Sequence, residues 1–378
     1  MGKVALQDKS LAVPLHLPHL DGLRAIAALY VVLHHAMLQV SHPIVHPRNW
    51  IEWAERLLTG GRLAVDLFIV LSGFSLMLTV VMNKGVLSGG AFAFYKKRAR
   101  RILPPYFACL AISLLLISTL IGVKTGTHWD VCLPVTFKDI WTHAFLLQDL
   151  FYDTSGKINH VLWSISVEFR IYFLFPALLF LWKPLKPIPA TLLYIFIGYA
   201  LLAILPESRI NLMSFSPNFL GLFALGMLAA EISCSGEEYC VRLREKGFWN
   251  VLAAVVIALT LWQGWRLGWS GEDLGAGLAS FSLLIGLSAL PISNLRTILS
   301  SYPIATIGKF AYSIYLMHAP FLQLFSQYVL APLNLNVESQ FFAIIFICSP
   351  CAVALCYPFY LVFERRNPEK KKTKKVSE

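Results

Sequence analysis

The sequence LDGLRAIAALYVVLHHAMLQV occupies residues 20–40, and it is apolar over almost its whole length. As a helix this stretch would rise about 30 Å, which matches the hydrocarbon thickness of a bilayer. The segment before it is polar and contains proline, so we expect no cleavable signal peptide. Residues 20–40 are therefore predicted to form a retained first membrane span.

The composition of the whole chain leads to the same class of protein. Of its 378 residues, 57% are hydrophobic and 14% are charged, and the mean hydropathy is +0.64. A soluble domain carries about 25% charged residues, so a soluble enzyme, a disordered protein and a fibrous repeat are excluded. The predicted fold class is all-α, a polytopic membrane protein with about ten transmembrane helices. The predicted spans are 20–40, 62–82, 103–123, 163–182, 188–205, 214–232, 249–265, 273–290, 304–330 and 340–363, the ninth with a possible break at Pro320.

Positive charges predict the orientation. The chain has 32 Lys and Arg against 21 Asp and Glu, a formal net charge of +11. Ten spans place both termini on one side, where loops and tails hold about threefold more Lys and Arg than the opposite loops, which predicts cytoplasmic termini. We expect the lipid bilayer, and no nucleic acid, as the partner of the lysine-rich end. The predicted organisation is a cytoplasmic tail (1–19), a membrane domain (20–363) and a basic cytoplasmic tail (364–378), in a multi-pass protein of the plasma membrane or an endomembrane.

The seven cysteines predict no disulfide framework. Cys132 is the one cysteine in a predicted external loop, so it has no external partner there. Cys348 and Cys351 form a CxxC, but it lies in the last apolar span, where buried cysteines commonly serve as packing residues. We therefore expect no metal and no bound cofactor.

Four ionisable residues inside predicted spans fall at a similar depth, in the outer third of the membrane: His35, Asp66, Glu168 and His318. Ionisable groups there cost roughly 2.5–3.5 kcal/mol each, which makes them candidates for function. A carboxylate bound to one imidazole nitrogen would leave the other nitrogen free to accept a proton from a nucleophile. A structural ion cluster and the proton relay of a transporter or permease are alternatives that the residues leave open.

A second constellation lies on the predicted cytoplasmic side. Arg98 and Arg101 are three residues apart just before the third span, so on a helix they share a face and could bind a phosphate. Arg24 lies at the cytoplasmic end of the first span, on the same stripe as His35 and about 16 Å from it. Lys309 lies early in the ninth span. The alternative for all these cations is contact with lipid headgroups.

Five motifs in chain order resemble acyltransferase family 3, a family of integral membrane proteins. The first is an arginine and a histidine separated by ten residues in the first span, Arg24 and His35. The others are the second-helix element, the RxxR before the third span, the WS-x-x-x-E segment and the late YxxYLxH element. In this sequence they are LDGLRAIA (20–27), VDLFIVLSGF (65–74), RARRILPPY (98–106), LWSISVE (162–168) and YSIYLMHAP (312–320).

This resemblance implies transfer of an acyl group, usually acetyl, from cytoplasmic acyl-coenzyme A to a hydroxyl of a carbohydrate or another acceptor. Acyl-coenzyme A would then be a co-substrate. On this hypothesis His35, oriented by Asp66 or Glu168, is the general base, or alternatively a transient acyl carrier. The remaining expected roles are donor binding by Arg24, Arg98 and Arg101, and acceptor binding or support by Ser72, Trp163, Ser164, Tyr312 and His318.

The sequence also departs from the family pattern. Ala64 and Ile69 replace a glycine and a phenylalanine of the second helix, and Phe169 and Arg170 follow Glu168 where glutamine or tryptophan is usual. Many relatives carry an extracytoplasmic hydrolase-like domain, which we do not expect here. We expect the external segment 124–162, which includes His143 and Asp149, to contribute to acceptor choice. The rival prediction, a transporter, requires substrate flux without acyl transfer.

Overall fold

The computed structural model describes residues 17–40, 57–289 and 292–365, apart from the side chains of residues 264 and 265. Within these ranges every regular element is a helix, as the all-α prediction requires. The α-helices are α1 (Pro18–Val40), α2 (Gly61–Met82), α3 (Gly90–Thr119), α4 (Phe137–Ala144), α5 (Trp163–Leu185), α6 (Pro187–Ile204), α7 (Leu212–Phe215), α8 (Phe219–Cys234), α9 (Glu238–Arg244), α10 (Trp249–Ser288), α11 (Asn294–Leu299), α12 (Tyr302–Lys309), α13 (Ala311–Phe325), α14 (Val337–Ala343) and α15 (Ser349–Phe359). Shorter 3₁₀ turns are His128–Cys132, Gln148–Leu150 and Ala331–Leu333, and wider π turns are Ser326–Leu330, Ile344–Cys348 and Tyr360–Glu364.

Seven helical stretches in the described ranges are long and apolar enough to cross a membrane. An eighth results if α9 and the first part of α10, which meet at 66°, form one bent span. These features are those of a multi-pass membrane protein, while the count of ten spans and the cytoplasmic termini stay predictions. The seven stretches are Pro18–Val40, Gly61–Met82, Gly90–Thr119, Trp163–Leu185, Pro187–Ile204, Leu212–Cys234 and Val337–Glu364.

The predicted ninth span is interrupted, but the expected break at Pro320 is wrong. The interruption lies at Phe310, between α12 and α13, whereas Pro320 lies inside α13. A proline removes the hydrogen bond to the carbonyl four residues earlier, here that of Leu316. That carbonyl instead accepts hydrogen bonds from Asn159 Nδ2 at 2.9 Å and Cys109 Sγ at 3.2 Å. Because neighbouring elements satisfy the freed oxygen, the helix continues through the proline.

Two glycines allow α2 and α8 to cross at very short range. A Cβ atom on Gly73 would lie 2.0 Å from the Phe223 carbonyl oxygen, and one on Gly226 would lie 2.0 Å from the Val70 carbonyl oxygen. Small residues at such crossings permit the close backbone packing that joins helices in membranes. The crossing therefore fixes α2, the helix that carries Ser72, against the buried helix α8.

The external segment folds over the same end of the helices as His35. Arg170, one of the departures from the family pattern, donates hydrogen bonds from both Nη atoms to the buried carboxylate of Asp149. His143 is fully buried, with Nδ1 2.7 Å from the Asp139 carbonyl oxygen. The Tyr106 hydroxyl of α3 donates to the His143 carbonyl at 2.9 Å. The segment is thus tied to both α3 and α5.

Replacing Gly226 by valine should destabilise the protein, because the new side chain would collide with the Val70 carbonyl. Overpacking of this kind costs about 1–3 kcal/mol or more. The matched control is Gly236→Val, since a Cβ at Gly236 meets no atom within 4 Å. The midpoint of thermal unfolding in detergent checks this, and equal midpoints for the two variants would contradict the close crossing.

Acid should destabilise the external segment through His143. Burial lowers the pKa of His143 from 6.5 to about 4, so between these values the unfolded chain binds a proton that the folded chain does not. Stability is then complete above about pH 6.5 and falls as the pH drops, by about 2 kcal/mol at pH 5. His143→Gln should show a smaller loss of melting temperature between pH 7.5 and pH 5 than the wild type. An unchanged loss would show that other groups cause it.

Candidate active site

A cavity of about 430 Å³ gathers the predicted donor-binding cations. Arg24 of α1, Arg98 and Arg101 of α3 and Lys309 of α12 all line it. The structure thus brings together four positive groups from three helices, as the helical spacing of Arg98 and Arg101 predicts for that pair. The planar guanidinium of arginine offers a fork of N–H donors and the lysine ammonium a compact positive charge, and both kinds of group bind phosphate well.

Two of the arginine side chains at this cavity have contacts that orient them, Arg24 through hydrogen bonds and Arg98 against an aromatic ring. Arg24 donates from Nη1 to Asp21 Oδ1 at 2.7 Å and from Nη2 to Ser75 Oγ at 2.6 Å. The Arg98 guanidinium lies 5.7 Å from the centre of the Phe94 ring. Fixed guanidinium groups bind an anion with less loss of side-chain entropy than mobile ones.

Glu168 lies at this cavity and forms a compact network with two other lining residues. It accepts a hydrogen bond from Ser72 Oγ at 2.5 Å and one from the Tyr172 hydroxyl. Tyr312 also lines the cavity, and its hydroxyl donates to the Ile102 carbonyl at 3.2 Å. Ser72 and Tyr312 are therefore on the arginine side of the site.

Glu364, which sequence reasoning did not select, closes the same cavity. It accepts hydrogen bonds from the Ser313 backbone N–H at 3.1 Å and from the Ser313 hydroxyl at 2.5 Å. In the sequence this glutamate belongs to the segment FERR (363–366), which only loosely resembles the closing element of the family, so the signal for it is weak. Its glutamate nevertheless connects the end of the chain's last described helix to α13.

His35 does not line the arginine-lined cavity and lies beside His318 instead. His318 Nδ1 is 2.9 Å from the Ile314 carbonyl, so this nitrogen carries the hydrogen and Nε2 is an acceptor. His35 Nδ1 lies 3.0 Å from that Nε2 and 3.0 Å from the Val31 carbonyl, and it therefore acts as the donor to them. Among the described residues this pattern leaves the lone pair of His35 Nε2 without a hydrogen bond, which is the requirement for a general base.

The expectation that Asp66 or Glu168 orients His35 is wrong. Glu168 is bound to Ser72 and Tyr172, and both carboxylate oxygens of Asp66 are buried without a hydrogen bond in the described part of the chain. Counting residues along a helix estimates depth, but depth does not fix the direction of a side chain around the helix axis. The group that orients His35 is His318, with the Val31 carbonyl.

Asp273 of α10 forms an ion pair with Arg62 of α2. Its two oxygens accept hydrogen bonds from Arg62 Nε and Nη2, both at 2.7 Å, in a bidentate pair. The Arg62 guanidinium also lies 5.3 Å from the ring centre of Trp163 and 5.1 Å from that of Phe219. Trp163 is therefore placed as an aromatic support of this ion pair.

Tyr315 and Val65 lie between the arginine-lined cavity and His35. Both residues line the 430 Å³ cavity, and both also line a smaller cavity of about 180 Å³ that contains His35. The Tyr315 hydroxyl is 2.6 Å from Ser164 Oγ, which places Ser164 on the same boundary. The arginine-lined cavity and the histidine are thus divided by a wall of two side chains.

Sequence reasoning missed three residues near His35. Tyr315 belongs to the quoted YxxYLxH element, so its motif position was an available signal. The rings of His128 and His160 come from the external segment, with the His160 ring centre 4.7 Å from that of His35 and the His128 ring centre at 6.1 Å. Their approach depends on the folding of a loop, which residue spacing does not reveal.

Comparison with known proteins agrees with this arrangement of motifs. Residues 17–361 match the family model described as "Acyltransferase domain". The O-acetyltransferase OatA of Staphylococcus aureus is 25% identical over 342 residues, which cover 83% of this chain and 52% of OatA. The protein SACOL0978 of Staphylococcus aureus strain COL is 31% identical over 172 residues, which cover 43% of this chain and 25% of that protein.

The comparison gave two further results. The chain spans about half the length of OatA, so the activity of the whole relative does not transfer directly. No solved structure matches the chain.

Proposed function

The chain belongs to the acyltransferase-domain family, acyltransferase family 3, and we propose that it transfers an acetyl group from acetyl-coenzyme A to a hydroxyl of a carbohydrate or a similar acceptor. The observation that carries the proposal is the pair of adjoining cavities, one lined by arginines and the other by a histidine with a free lone pair. The name O-acetyltransferase of the relative OatA supports acetyl as the group and oxygen as the acceptor atom.

Arg24, Arg98 and Arg101 bind the phosphates of coenzyme A in this proposal. The thioester then has to extend from their cavity to the wall formed by Tyr315 and Val65, which borders the cavity of His35. The acceptor hydroxyl approaches His35 from the side of the external segment. The two substrates therefore meet at the wall, with the phosphates kept at a distance from the reacting atoms.

His35 acts as the general base through Nε2. It takes the proton of the acceptor hydroxyl while the hydroxyl oxygen forms a bond to the thioester carbonyl carbon. The tetrahedral intermediate then breaks its carbon–sulfur bond, and the departing thiolate receives the proton from His35, which gives an O-acetyl ester and free coenzyme A. His318 stabilises the imidazolium that forms, because its Nε2 accepts a hydrogen bond from His35 Nδ1.

Of the two residues of the wall, Tyr315 carries the hydroxyl that can donate to the developing oxyanion. It is already oriented by Ser164 Oγ at 2.6 Å and lies in the boundary that the thioester has to reach. A preorganised donor of this kind typically lowers a barrier by about 2.7–4 kcal/mol. Glu168 instead keeps Ser72 and Tyr172 in place on the donor side.

His35→Gln should lower the rate of acetyl transfer by about 10²–10⁴, because the positioned base is lost. The matched control is His34→Gln, since the His34 ring lies 4.8 Å from that of His35 but its Nδ1 contacts the Leu58 carbonyl. Transfer of radiolabelled acetyl from acetyl-coenzyme A to a panel of sugars measures both. A folded His35→Gln protein with the wild-type rate would remove His35 from the mechanism.

Arg98→Gln and Arg101→Gln should each raise the KM for acetyl-coenzyme A about tenfold or more, because each removes a charged hydrogen-bond donor worth about 1.5–3 kcal/mol. Arg100→Gln is the control, because Arg100 is an exposed residue of the same helix that does not line the cavity. Equal KM values for the three variants would show that Arg98 and Arg101 do not bind the donor and instead contact lipid headgroups.

A further inference from the structure

Three imidazole rings from separate parts of the chain converge at His35. They belong to α1 (His35), the turn His128–Cys132 (His128) and the end of the external segment (His160). One ring nitrogen from each can be chosen so that all three nitrogens lie within 4.8 Å of one another. The ring centres of His128 and His160 are 4.7 Å apart, the same as those of His35 and His160.

The orientation of the rings favours a shared ligand. His35 Nδ1 is occupied by His318 and the Val31 carbonyl, which leaves Nε2 available. His160 Nδ1 lies 3.4 Å from Cys132 Sγ, and its Nε2 is buried with no hydrogen-bond partner among the described residues, in a residue only 7% exposed. Metal-binding histidines typically have one nitrogen held by such a second contact while the other binds the ion.

The unpartnered Nε2 of His160 is a second observation that points to a ligand among these rings. A buried nitrogen without a partner is costly, and coordination would remove that cost.

We propose that His35, His128 and His160 bind one Zn²⁺ ion, or a similar first-row transition metal ion. Imidazole donors favour zinc, copper and nickel over magnesium and calcium, which prefer oxygen. Bonds of about 2.0–2.1 Å place tetrahedral ligand atoms about 3.3 Å apart, so the rings must close by up to about 1.5 Å. His128 is half-buried on a short turn, and its ring is the one that can make most of this movement.

The ion would also regulate the enzyme. His35 Nε2 has one lone pair, and an ion bound there prevents it from accepting the acceptor's proton, so bound zinc inhibits acetyl transfer. This consequence rests on the proposed function, whereas the binding site itself does not.

Metal binding can be measured without any activity. Tag-free, metal-free protein in detergent is titrated with Co²⁺, whose visible absorption reports imidazole coordination, and with Zn²⁺ by calorimetry. We expect one ion per chain, and an affinity reduced more than about 100-fold in His128→Gln, since even second-shell contacts are worth about 10–100-fold. His160→Gln provides a second ligand variant should His128→Gln fail to fold.

His34→Gln is the matched control, because this neighbouring imidazole lies outside the three-ring group and should bind metal within a few-fold of the wild type. Absence of stoichiometric Co²⁺ and Zn²⁺ binding in the wild type, or equal binding in both ligand variants and the control, overturns the proposal and leaves a stacked histidine cluster.

The activity measurement separates the two proposals. Zn²⁺ should inhibit wild-type transfer and have little effect on the transfer that His128→Gln retains. Metal binding without measurable transfer would retain the site and contradict the function. Transfer that Zn²⁺ does not affect, in protein that binds no metal, would retain the function and contradict the site.

Discussion

The close crossing of α2 and α8 is the contact on which the arrangement of both cavities depends. At Gly73 and Gly226 the two backbones approach to a distance that leaves no room for a side chain. Once that face of α2 is committed to α8, the helical period directs Ser72 and Ser75 toward the arginine-lined cavity. Val65, two turns earlier, then reaches the boundary with His35. The packing at these two glycines thus sets the position of the arginine-lined cavity and of its boundary with His35.

Polar groups inside an apolar bundle are costly unless they are paired, and most of those described here are paired across distant parts of the chain. Arg62 binds Asp273 in a bidentate pair, and the carbonyl freed by Pro320 is satisfied by Asn159. The exceptions are informative, because native proteins leave few buried polar atoms without partners. Asp66 and His160 Nε2 are two such exceptions, and His160 lies within the histidine group.

The sequence predicts the all-α class and the common cavity of Arg98 and Arg101, because both depend on local period. Arg98 and Arg101 are three residues apart on one helix, so their common cavity follows from helical geometry alone. The histidine side was predicted only in part. Counting residues from a span's end estimates depth but not the direction of a side chain, and among the described residues neither Asp66 nor Glu168 forms a hydrogen bond to His35. His128 and His160 arrive through tertiary folding of the external segment, for which spacing offers no rule.

The separation of charge between the two cavities constrains how acyl transfer can work. In the proposed reaction the arginines hold the anionic part of the donor at one end of α1, and His35 lies about 16 Å along the same helix. A phosphate that moved toward His35 would leave the cations that compensate its charge, which is electrostatically unfavourable. Only the uncharged thioester end can therefore reach the wall at Tyr315 and Val65. In the proposed reaction the protein passes an acetyl group to the acceptor side while the charged coenzyme stays where its charge is compensated.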